Sequence, residues 1–433
     1  MKIYILLSLI FLISGCGTNN STSTAETSPF IFETTNEVAV SKSSIPMLAI
    51  LVNYDNIQIQ SSDSVWSNKL FGKNEHQLNH YYMQTSKNNF SFEKAKESAR
   101  TVDDGIVAVL LHKNHPNTDI NTISFNNSVY PDLSAALSAA DSVVDFSNYD
   151  SNADGAITPD ELILTFIIAG YEDSYEGRHV NNGIWAHENC IQNSLIIPTL
   201  DSVKLMSCSM GGNFALFGER HNIQNPHDAT IGIIAHELGH ATFNLPDLYN
   251  TTNQDSGGIG FFGLMGGGTW TVQNKTEYFG NTPTHLSAWS KIYNGWITPT
   301  IENSTSTVLY ETASLDYNII KIPINSTSYY LLENRNNSGY DKGLYSLNGH
   351  FNGGIAIWKI DETQISTNDL FYNTVNANTA QKGIDLVEAI YGKIDTGGDG
   401  DENALYYQGN VNSFKTLVSD ISPRGSVMNL NIN

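Results

Sequence analysis

The chain has 433 residues, of which 40% are hydrophobic and 15% are charged, which is enough for one large domain and a smaller second one. Its 44 acidic residues outnumber its 22 basic residues, so the formal net charge is -22. A chain this acidic is a poor candidate for binding nucleic acids or anionic membrane surfaces. We therefore expect no nucleic-acid partner.

An apolar run opens the chain. Lys2 precedes an apolar stretch at residues 3–13, which is too short to span a bilayer and is typical of a signal peptide. The sequence ISGC at residues 13–16 resembles a bacterial lipobox, which implies cleavage before Cys16 and lipidation of that cysteine. The alternative is a plain signal peptide with an incidental cysteine. We expect residues 1–15 to be a lipoprotein signal peptide and the protein to lie at the bacterial cell envelope or surface, with its lipid anchor as the only membrane contact.

The segments that follow alternate between polar linkers and apolar stretches. Residues 16–44 are rich in Ser, Thr, Asn and Glu and predict a flexible tether. Apolar patterns downstream predict strands at 46–52 and 161–169 and helices at 77–84, 133–144, 230–242 and 284–293. Beyond residue 299, short apolar stretches alternate with Asn, Ser and Gly turns, at 306–311, 319–324, 328–332, 354–360 and 428–432. The pattern indicates a main domain at 45–299 and a β-rich C-terminal domain at 300–433.

The predicted helix at 230–242 carries the sequence HELGH at residues 236–240. Residues four apart lie on one face of a helix, so His236 and His240 can reach the same metal ion. Glu237 lies beside the first histidine, close enough to act on a water molecule at the metal. This is the HExxH pattern of zinc peptidases, in which the glutamate is the general base. The alternative is an ordinary helix whose two histidines make only packing contacts.

The residues downstream of this helix offer a third ligand. A catalytic zinc needs three protein ligands and one open position. No histidine follows at the metzincin spacing, but Asp247 is a carboxylate seven residues after His240, and Asn244 tolerates the left-handed backbone of a turn. The alternative for Asp247 is a turn or cap residue after Pro246. Farther on, Met265 lies in a glycine-rich stretch that suits a Met-turn, whose sulfur packs beneath a metal site without binding the metal.

Several motifs together resemble the immune inhibitor A family of secreted bacterial zinc metallopeptidases. They are HELGH at 236–240, LPDLY at 245–249, LMGGGTW at 264–270, PTHLSAWSKIYNGW at 283–296, YYMQTS at 81–86, DFSNYD at 145–150, IWAH at 184–187, YLLENR at 330–335 and IAIWKIDE at 355–362. The resemblance implies an α+β fold with a zincin, metzincin-like catalytic domain, endopeptidase activity, one catalytic zinc and structural calcium. It implies that His236, His240 and Asp247 bind zinc and that Glu237 is the general base. The spacing to Asp247 is one residue longer than in the family, so Glu277 is the competing third ligand.

Residues 150–161 match the EF-hand loop template. Asp150, Asn152 and Asp154 supply side-chain oxygens at positions 1, 3 and 5, glycine stands at position 6, Ala156 supplies its carbonyl at position 7, and Glu161 stands at position 12. Because the residues that follow predict a strand, we expect a stabilising calcium site and no sensor; the alternative is a solvated acidic turn. A second acidic, glycine-rich loop contains Asp395, Asp399 and Asp401 as candidate ligands for a second calcium.

With Cys16 assigned to lipidation, two of the 3 cysteines remain, Cys190 and Cys208. Export implies an oxidising compartment, in which we expect them to form a disulfide. Two buried free thiols are the alternative.

Four further residues have open roles. Glu219 is a candidate for orienting a ligand, for binding calcium or for a surface salt bridge. His187 is a candidate for lining the cleft or for a structural histidine. Tyr249 and His285 are candidates for stabilising an oxyanion or for packing.

The sequence favours an extracytoplasmic zinc-dependent endopeptidase that hydrolyses proteins or peptides, and we expect it to be a monomer. Since only about thirty residues separate Cys16 from the first predicted strand, we expect little zymogen latency. The main alternative is a surface adhesin or binding protein on a zincin scaffold with little or no catalysis. A peptidase dedicated to one partner is the third hypothesis.

Overall fold

The computed structural model describes residues 42–118, 125–252, 257–301, 306–366, 369–370, 372–390, 392 and 394–433. The predicted signal peptide, Cys16 and nearly all of the predicted tether lie outside these ranges.

Six α-helices and eighteen strands occur among the described residues. The helices are α1 Asp63–Phe71, α2 Leu78–Thr85, α3 Tyr130–Ala140, α4 Asp173–Glu176, α5 Ile231–Phe243 and α6 Ala288–Tyr293. The first ten strands are β1 Ser44–Tyr54, β2 Ser91–Lys94, β3 Ile106–Leu111, β4 Ile163–Glu172, β5 Gly183–Ile184, β6 His187–Asn189, β7 Thr199–Leu200, β8 Val203–Lys204, β9 Phe214–His221 and β10 His227–Asp228. The remaining strands are β11 Thr300–Ile301, β12 Ser306–Tyr310, β13 Ile320–Pro323, β14 Ser328–Arg335, β15 Gly354–Asp361, β16 Ile384–Leu386, β17 Val418–Ser419 and β18 Val427–Ile432.

The larger sheet has eight strands and is mainly parallel. β1 pairs in parallel with β2, β3 and β4, and β4 pairs in parallel with β9. Two short strands, β6 and β10, run antiparallel to β9. The nearly continuous apolar sequence of β1 is explained by this central place, because both faces of a parallel sheet are covered.

The two faces of β1 pack against different helices. Met47, Ala49 and Leu51 share one hydrophobic cluster with Leu238 of α5. The alternate residues, among them Ile50, belong to a second cluster together with residues of α3. Alternation of side chains along a strand produces this division. α5 is therefore fixed on one face of the sheet by apolar burial.

The C-terminal strands form two further sheets, with orders β11-β13-β14-β15-β16 and β12-β18-β17. One face of the five-stranded sheet joins the core that also holds α5, because Leu331 and Trp358 belong to the same hydrophobic cluster as Leu238. A buried guanidinium adds a polar link, since Arg335 donates to the carbonyl of Phe262 at 2.7 Å. The two parts of the chain thus share one continuous core.

The predicted elements are recovered, with shifted ends. The predicted helix at 284–293 begins only at Ala288, because the Ser287 side chain caps it by accepting from the Ser290 amide at 3.2 Å. The predicted strands at 46–52 and 161–169 and the C-terminal β stretches are all present. No helix within the described ranges has the length and apolar content needed to cross a bilayer. The domain limits at 44/45 and 299/300 stay predictions.

Candidate metal centre

α5 carries both histidines of the HELGH motif and ends directly after them. Asn244 adopts a left-handed backbone, with φ 51°, and its amide donates to the carbonyl of His240 at 2.9 Å. The Leu245 amide then donates back to the carbonyl of Gly239 at 3.3 Å. This is the hydrogen-bond pattern of a C-terminal helix cap, and it reverses the chain toward Asp247. The predicted turn at Asn244 is thus present.

Three side chains converge at this point. The Nε2 atoms of His236 and His240 are 3.1 Å apart, and each faces Oδ1 of Asp247, at 3.1 and 3.3 Å respectively. All three residues are buried, Asp247 completely. Among the described residues, this is the single group of three or more histidine, cysteine or acidic side chains close enough to share a metal ion. We call it the candidate metal centre.

Hydrogen bonds on the far side of each ring determine which nitrogen carries the proton. Nδ1 of His236 lies 3.1 Å from the carbonyl of Leu264, and Nδ1 of His240 lies 2.5 Å from the carbonyl of Leu245. A carbonyl can only accept, so Nδ1 is the protonated nitrogen of each neutral ring and Nε2 carries a free lone pair. Three electron-pair donors therefore face one another.

Their spacing matches that of ligands around a tetrahedral zinc ion. Zinc lies about 2.0–2.1 Å from imidazole nitrogens and carboxylate oxygens, so two tetrahedral ligands are separated by roughly 3.3 Å. The three distances here are 3.1, 3.1 and 3.3 Å. Without a cation between them, the three donors would repel one another at this distance. The residues present therefore fit a zinc ion.

The electrostatics of Asp247 point the same way. Burial opposes ionisation, but the neighbouring imidazoles, chiefly His240, hold the pKa of Asp247 well below its usual range. For His240, burial works against the charged form, yet the Asp247 carboxylate raises the pKa of the imidazole above its usual value. The buried carboxylate thus attracts positive charge, either as a proton or as a cation.

The competing third ligand lies elsewhere. The Glu277 carboxylate accepts hydrogen bonds from Gln273, Asn281 and Thr282 and lies 3.6 Å from Nε2 of His76. The structure therefore brings Asp247, and not Glu277, to the two histidines.

Glu237 lies on α5 next to His236 and is 2% exposed. Burial raises the pKa of its carboxyl to about 8, His236 opposes this shift, and the carboxylates of Asp247, Glu172 and Glu188 add to it. Sequence reasoning missed Glu172 and Glu188. Because they stand on β4 and β6, far from HELGH along the chain, no local pattern relates them to Glu237.

Met265, which the sequence predicts to lie in a Met-turn, contacts α5. Gly266 donates to the carbonyl of Gly263 at 3.0 Å, which closes a turn around Met265. A Cβ atom on Gly239 would lie 2.9 Å from the Met265 sulfur, so the Met265 side chain packs closely against α5 between the two histidines. A second contact comes from Thr269, whose hydroxyl lies 3.0 Å from Nδ1 of His236 and donates to the carbonyl of Leu264 at 2.7 Å.

The predicted disulfide is present. The sulfur atoms of Cys190 and Cys208 are 2.09 Å apart. It links the loop after β6 to the segment before β9, which pairs with β6.

The first predicted calcium loop is closed by hydrogen bonds to its own acidic side chains. Asp150 accepts from the amides of Asp154 at 3.1 Å and Gly155 at 3.0 Å, and Gly155 has φ +81°. Glu161, from position 12, accepts from the Ser151 amide at 2.8 Å and thereby closes the loop. Asn152 Oδ1 accepts from the Asp154 amide at 2.9 Å. The loop is followed by a strand, β4, as predicted.

The second acidic loop already has a positive partner. The ammonium of Lys382 lies 2.5 Å from Oδ1 of Asp395 and 2.5 Å from Oδ1 of Asp385. Burial raises the pKa of Asp399 to about 6. Asp401 accepts from the Asn403 amide at 2.7 Å. A lysine thus supplies the charge that a calcium ion would bring to Asp395.

The remaining candidates are buried. Glu219 is 1% exposed and accepts from the amides of Gln60 at 2.5 Å and Ser61 at 3.1 Å, so it is not a surface salt bridge. Nδ1 of His187 lies 2.8 Å from the Trp185 carbonyl, which agrees with a structural histidine. His285 is completely buried and Tyr249 nearly so.

Comparisons with known proteins agree with these motifs. The family described as immune inhibitor A peptidase M6, catalytic domain, matches residues 51–297, which is more than half of the chain. Immune inhibitor A from Bacillus thuringiensis subsp. alesti is 32% identical over 151 residues, which are 34% of this chain and 20% of that protein. The pre-pro-metalloprotease PrtV from Vibrio cholerae serotype O1 is 31% identical over 149 residues, 33% of this chain and 15% of that protein. The aligned segment is thus a small part of each relative.

Proposed function

This chain belongs to the immune inhibitor A family of M6 peptidases, a family of metallopeptidases with a zincin-like fold and a catalytic zinc, and we propose that it is a zinc-dependent endopeptidase that hydrolyses proteins outside the cytoplasm. His236, His240 and Asp247 are the zinc ligands in this proposal, and Glu237 is the general base. The family implies protein or peptide substrates.

The observation that carries the proposal is the convergence of three proton-free donor atoms at 3.1, 3.1 and 3.3 Å from one another. Two imidazole nitrogens with one carboxylate oxygen suit zinc better than calcium or magnesium, which prefer oxygen ligands alone. Three protein ligands leave a fourth position open, as catalytic zinc sites require. In this proposal Glu237, one residue along α5 from His236, acts on a water molecule at that open position.

Each side chain has a distinct part in the reaction. Zinc, when bound, activates water and polarises the scissile carbonyl. Glu237 accepts a proton from the attacking water and then delivers it to the leaving amine, which requires the ionised carboxylate at the start. A cation beside Glu237 favours that ionised form and opposes the effect of burial on the carboxyl. The two Nδ1–H groups hold their imidazole rings in orientation against backbone carbonyls.

The test measures bound zinc and casein hydrolysis on the detergent-solubilised full chain. Glu237→Gln keeps the shape of the side chain but cannot accept the proton, so we expect one zinc per chain and a rate lower by about 10²- to 10⁴-fold. Glu93→Gln, on the exposed surface of β2, is the matched control and should leave the rate unchanged.

Two outcomes would contradict the proposal. Zinc in the wild type with no hydrolysis of any protein would favour a binding protein on a zincin scaffold, or a peptidase dedicated to one partner. A wild type that binds no zinc would remove the metal centre itself.

Location outside the cytoplasm rests on two features. The apolar run at residues 3–13 is typical of an export signal, and the Cys190–Cys208 disulfide suits an oxidising compartment. We propose that Cys16 is the site of the lipid anchor. Radiolabelled palmitate should enter the wild-type chain and not the Cys16→Ser variant; equal labelling of both would disprove the assignment.

We also propose one structural calcium, in the loop formed by Asp150, Asn152, Asp154, the Ala156 carbonyl and Glu161. Hard oxygen donors at alternating positions and a left-handed glycine are what such a loop requires. Because Lys382 already neutralises Asp395, we do not extend the proposal to the second loop. A calcium chelator should lower the melting temperature of the wild type but not that of Asp150→Asn with Asp154→Asn; an unchanged wild type would count against calcium.

A further inference from the structure

Asp247 is held by a residue far along the chain. Its Oδ1 faces the two histidines, while its Oδ2 accepts a hydrogen bond from Nδ2 of Asn373 at 2.6 Å. The backbone amide of Asp247 donates to Oδ1 of the same asparagine at 2.7 Å. One side-chain amide therefore contacts both the main chain and the carboxylate of Asp247, and it fixes the direction in which that carboxylate points.

The chemistry of the two partners determines the orientation of this amide. A backbone N–H can only donate, so it must meet the oxygen of the asparagine side chain. An ionised carboxylate can only accept, so it must meet the nitrogen. Asparagine carries a donor and an acceptor at the required separation, and aspartate or leucine at residue 373 would lack one or both.

Asn373 is itself fixed in place. Its backbone is left-handed, with φ 55°, a conformation that asparagine tolerates better than most residues. Its amide donates to the carbonyl of Leu370 at 3.2 Å, and its carbonyl accepts from the hydroxyl of Thr251 at 3.0 Å. The contact with Asp247 thus comes from an anchored turn.

Residues near Asn373 make further contacts with the segment that follows α5. Nδ2 of Asn376 donates to the carbonyl of Leu248 at 3.0 Å and to that of Ile384, the first residue of β16, at 2.8 Å. The ammonium of Lys382 donates to the Gly258 carbonyl at 3.2 Å. The segment that follows α5 therefore contacts the C-terminal part of the chain at several points.

We propose that Asn373 is a positioning residue of the metal centre, and that the C-terminal part of the chain completes the zinc site by holding its third ligand. The proposal rests on the proposed function, because it takes Asp247 as a zinc ligand. Asn373 lies beyond residues 51–297, which match the peptidase family, so the matched region does not contain everything that the site requires. Partners of metal ligands typically contribute about 10- to 100-fold to metal affinity.

The experiment measures the zinc dissociation constant of the full chain by competition with a chelator, without reference to hydrolysis. Asn373→Gly removes the side chain and retains a residue suited to positive φ, and we expect its zinc affinity to fall about 10- to 100-fold. In Asn373→Asp a carboxylate would face that of Asp247, so the loss should be at least as large. Asn88→Gly is the control, because Asn88 is exposed and has φ 62°; its affinity should match the wild type.

Three readouts separate the explanations. A melting temperature of the metal-free Asn373→Gly protein close to that of Asn88→Gly, together with weaker zinc binding, supports a positioning role. Equal zinc affinity in both variants would overturn the proposal, and so would a wild type that binds no zinc. If the wild type binds zinc but cleaves no protein, the proposed function fails while the affinity difference still supports Asn373.

Discussion

His236 and His240 reach the candidate metal centre from α5, whereas Asp247 reaches it from the loop that follows the helix. The helix sets the spacing of the histidines by its own hydrogen bonds, and apolar burial against the sheet sets its position. The loop has no such internal regularity. Its aspartate is oriented by Asn373, which is 126 residues away along the chain.

The difference teaches that the candidate metal centre combines donors of local and of distant origin. A helix-borne ligand is expected to tolerate changes in remote parts of the fold, as long as the helix stays docked. A loop-borne ligand depends on every contact that docks its loop. Disturbing the C-terminal part of the chain should therefore affect the metal centre through Asp247 first.

The largest expected effect comes from removing a helix-borne ligand. His236→Ala deletes one of three donors and should weaken zinc binding by at least about 100-fold, given the magnitude of zinc binding energies in proteins. The fold should persist, because α5 packs mainly through apolar residues. Chelator competition and circular dichroism test this. His112→Ala, at an exposed site with a side chain 81% exposed, is the control. Zinc affinity that stays at the wild-type level in His236→Ala would exclude this residue as a ligand.

An intermediate effect concerns the dependence of stability on pH, through the buried His285, whose charged neighbours include residues of the C-terminal part. Burial lowers the pKa of His285 to about 3, Asp341 opposes the shift, and Lys291 and Arg335 add to it. The pKa of His285 is therefore lower in the folded state than in the unfolded state. Above about pH 6.5 the imidazole is neutral in both states and does not affect stability, but the folded state loses stability as the pH falls from about 6.5 toward 3.

Between pH 7.5 and 5 the loss from His285 should be about 2 kcal/mol. His285→Leu should remove it, which denaturant unfolding of the metal-free protein at the two pH values would measure. His112→Leu, at an exposed position, should keep the wild-type pH dependence. If the free energy of unfolding had the same pH dependence in the wild type and in His285→Leu, the lowered pKa of His285 would be refuted.

The smallest expected effect comes from Thr269, a residue that contacts the helix-borne His236. Thr269→Val preserves shape but removes the hydroxyl that contacts Nδ1 of His236, so we expect zinc affinity to fall by about tenfold. The effect should be at the lower end of the range for Asn373→Gly, because the Leu264 carbonyl still accepts from the ring. Thr165→Val is the control, since that buried hydroxyl has no hydrogen-bond partner among the described residues. A larger loss of zinc affinity in Thr269→Val than in Asn373→Gly would contradict the expectation that the loop-borne ligand depends more on its partners than the helix-borne ligand does.

Some features of the site could be predicted because their cause is local. The HExxH spacing predicts two histidines on one helix face, the tolerance of Asn244 for positive φ predicts the turn, and the glycine-rich stretch around Met265 predicts a tight turn there. The two cysteines left after Cys16 predicted the disulfide that the structure contains. Glu172, Glu188 and Asn373 could not be predicted, because their relation to the site exists only after the sheet and the C-terminal strands have packed.

By itself, the sequence determined the secondary-structure elements and indicated the type of chemistry: apolar runs predicted the central strands, and HELGH with Asp247 predicted a set of zinc donors. Tertiary structure decided between Asp247 and Glu277, since both carboxylates follow the helix and only packing brings one to the histidines while placing the other against His76. It also decided that Asn373, from the C-terminal part, forms hydrogen bonds with Asp247. The physical reason is that helix geometry follows from neighbouring residues, whereas the position of a loop follows from whatever it is docked against.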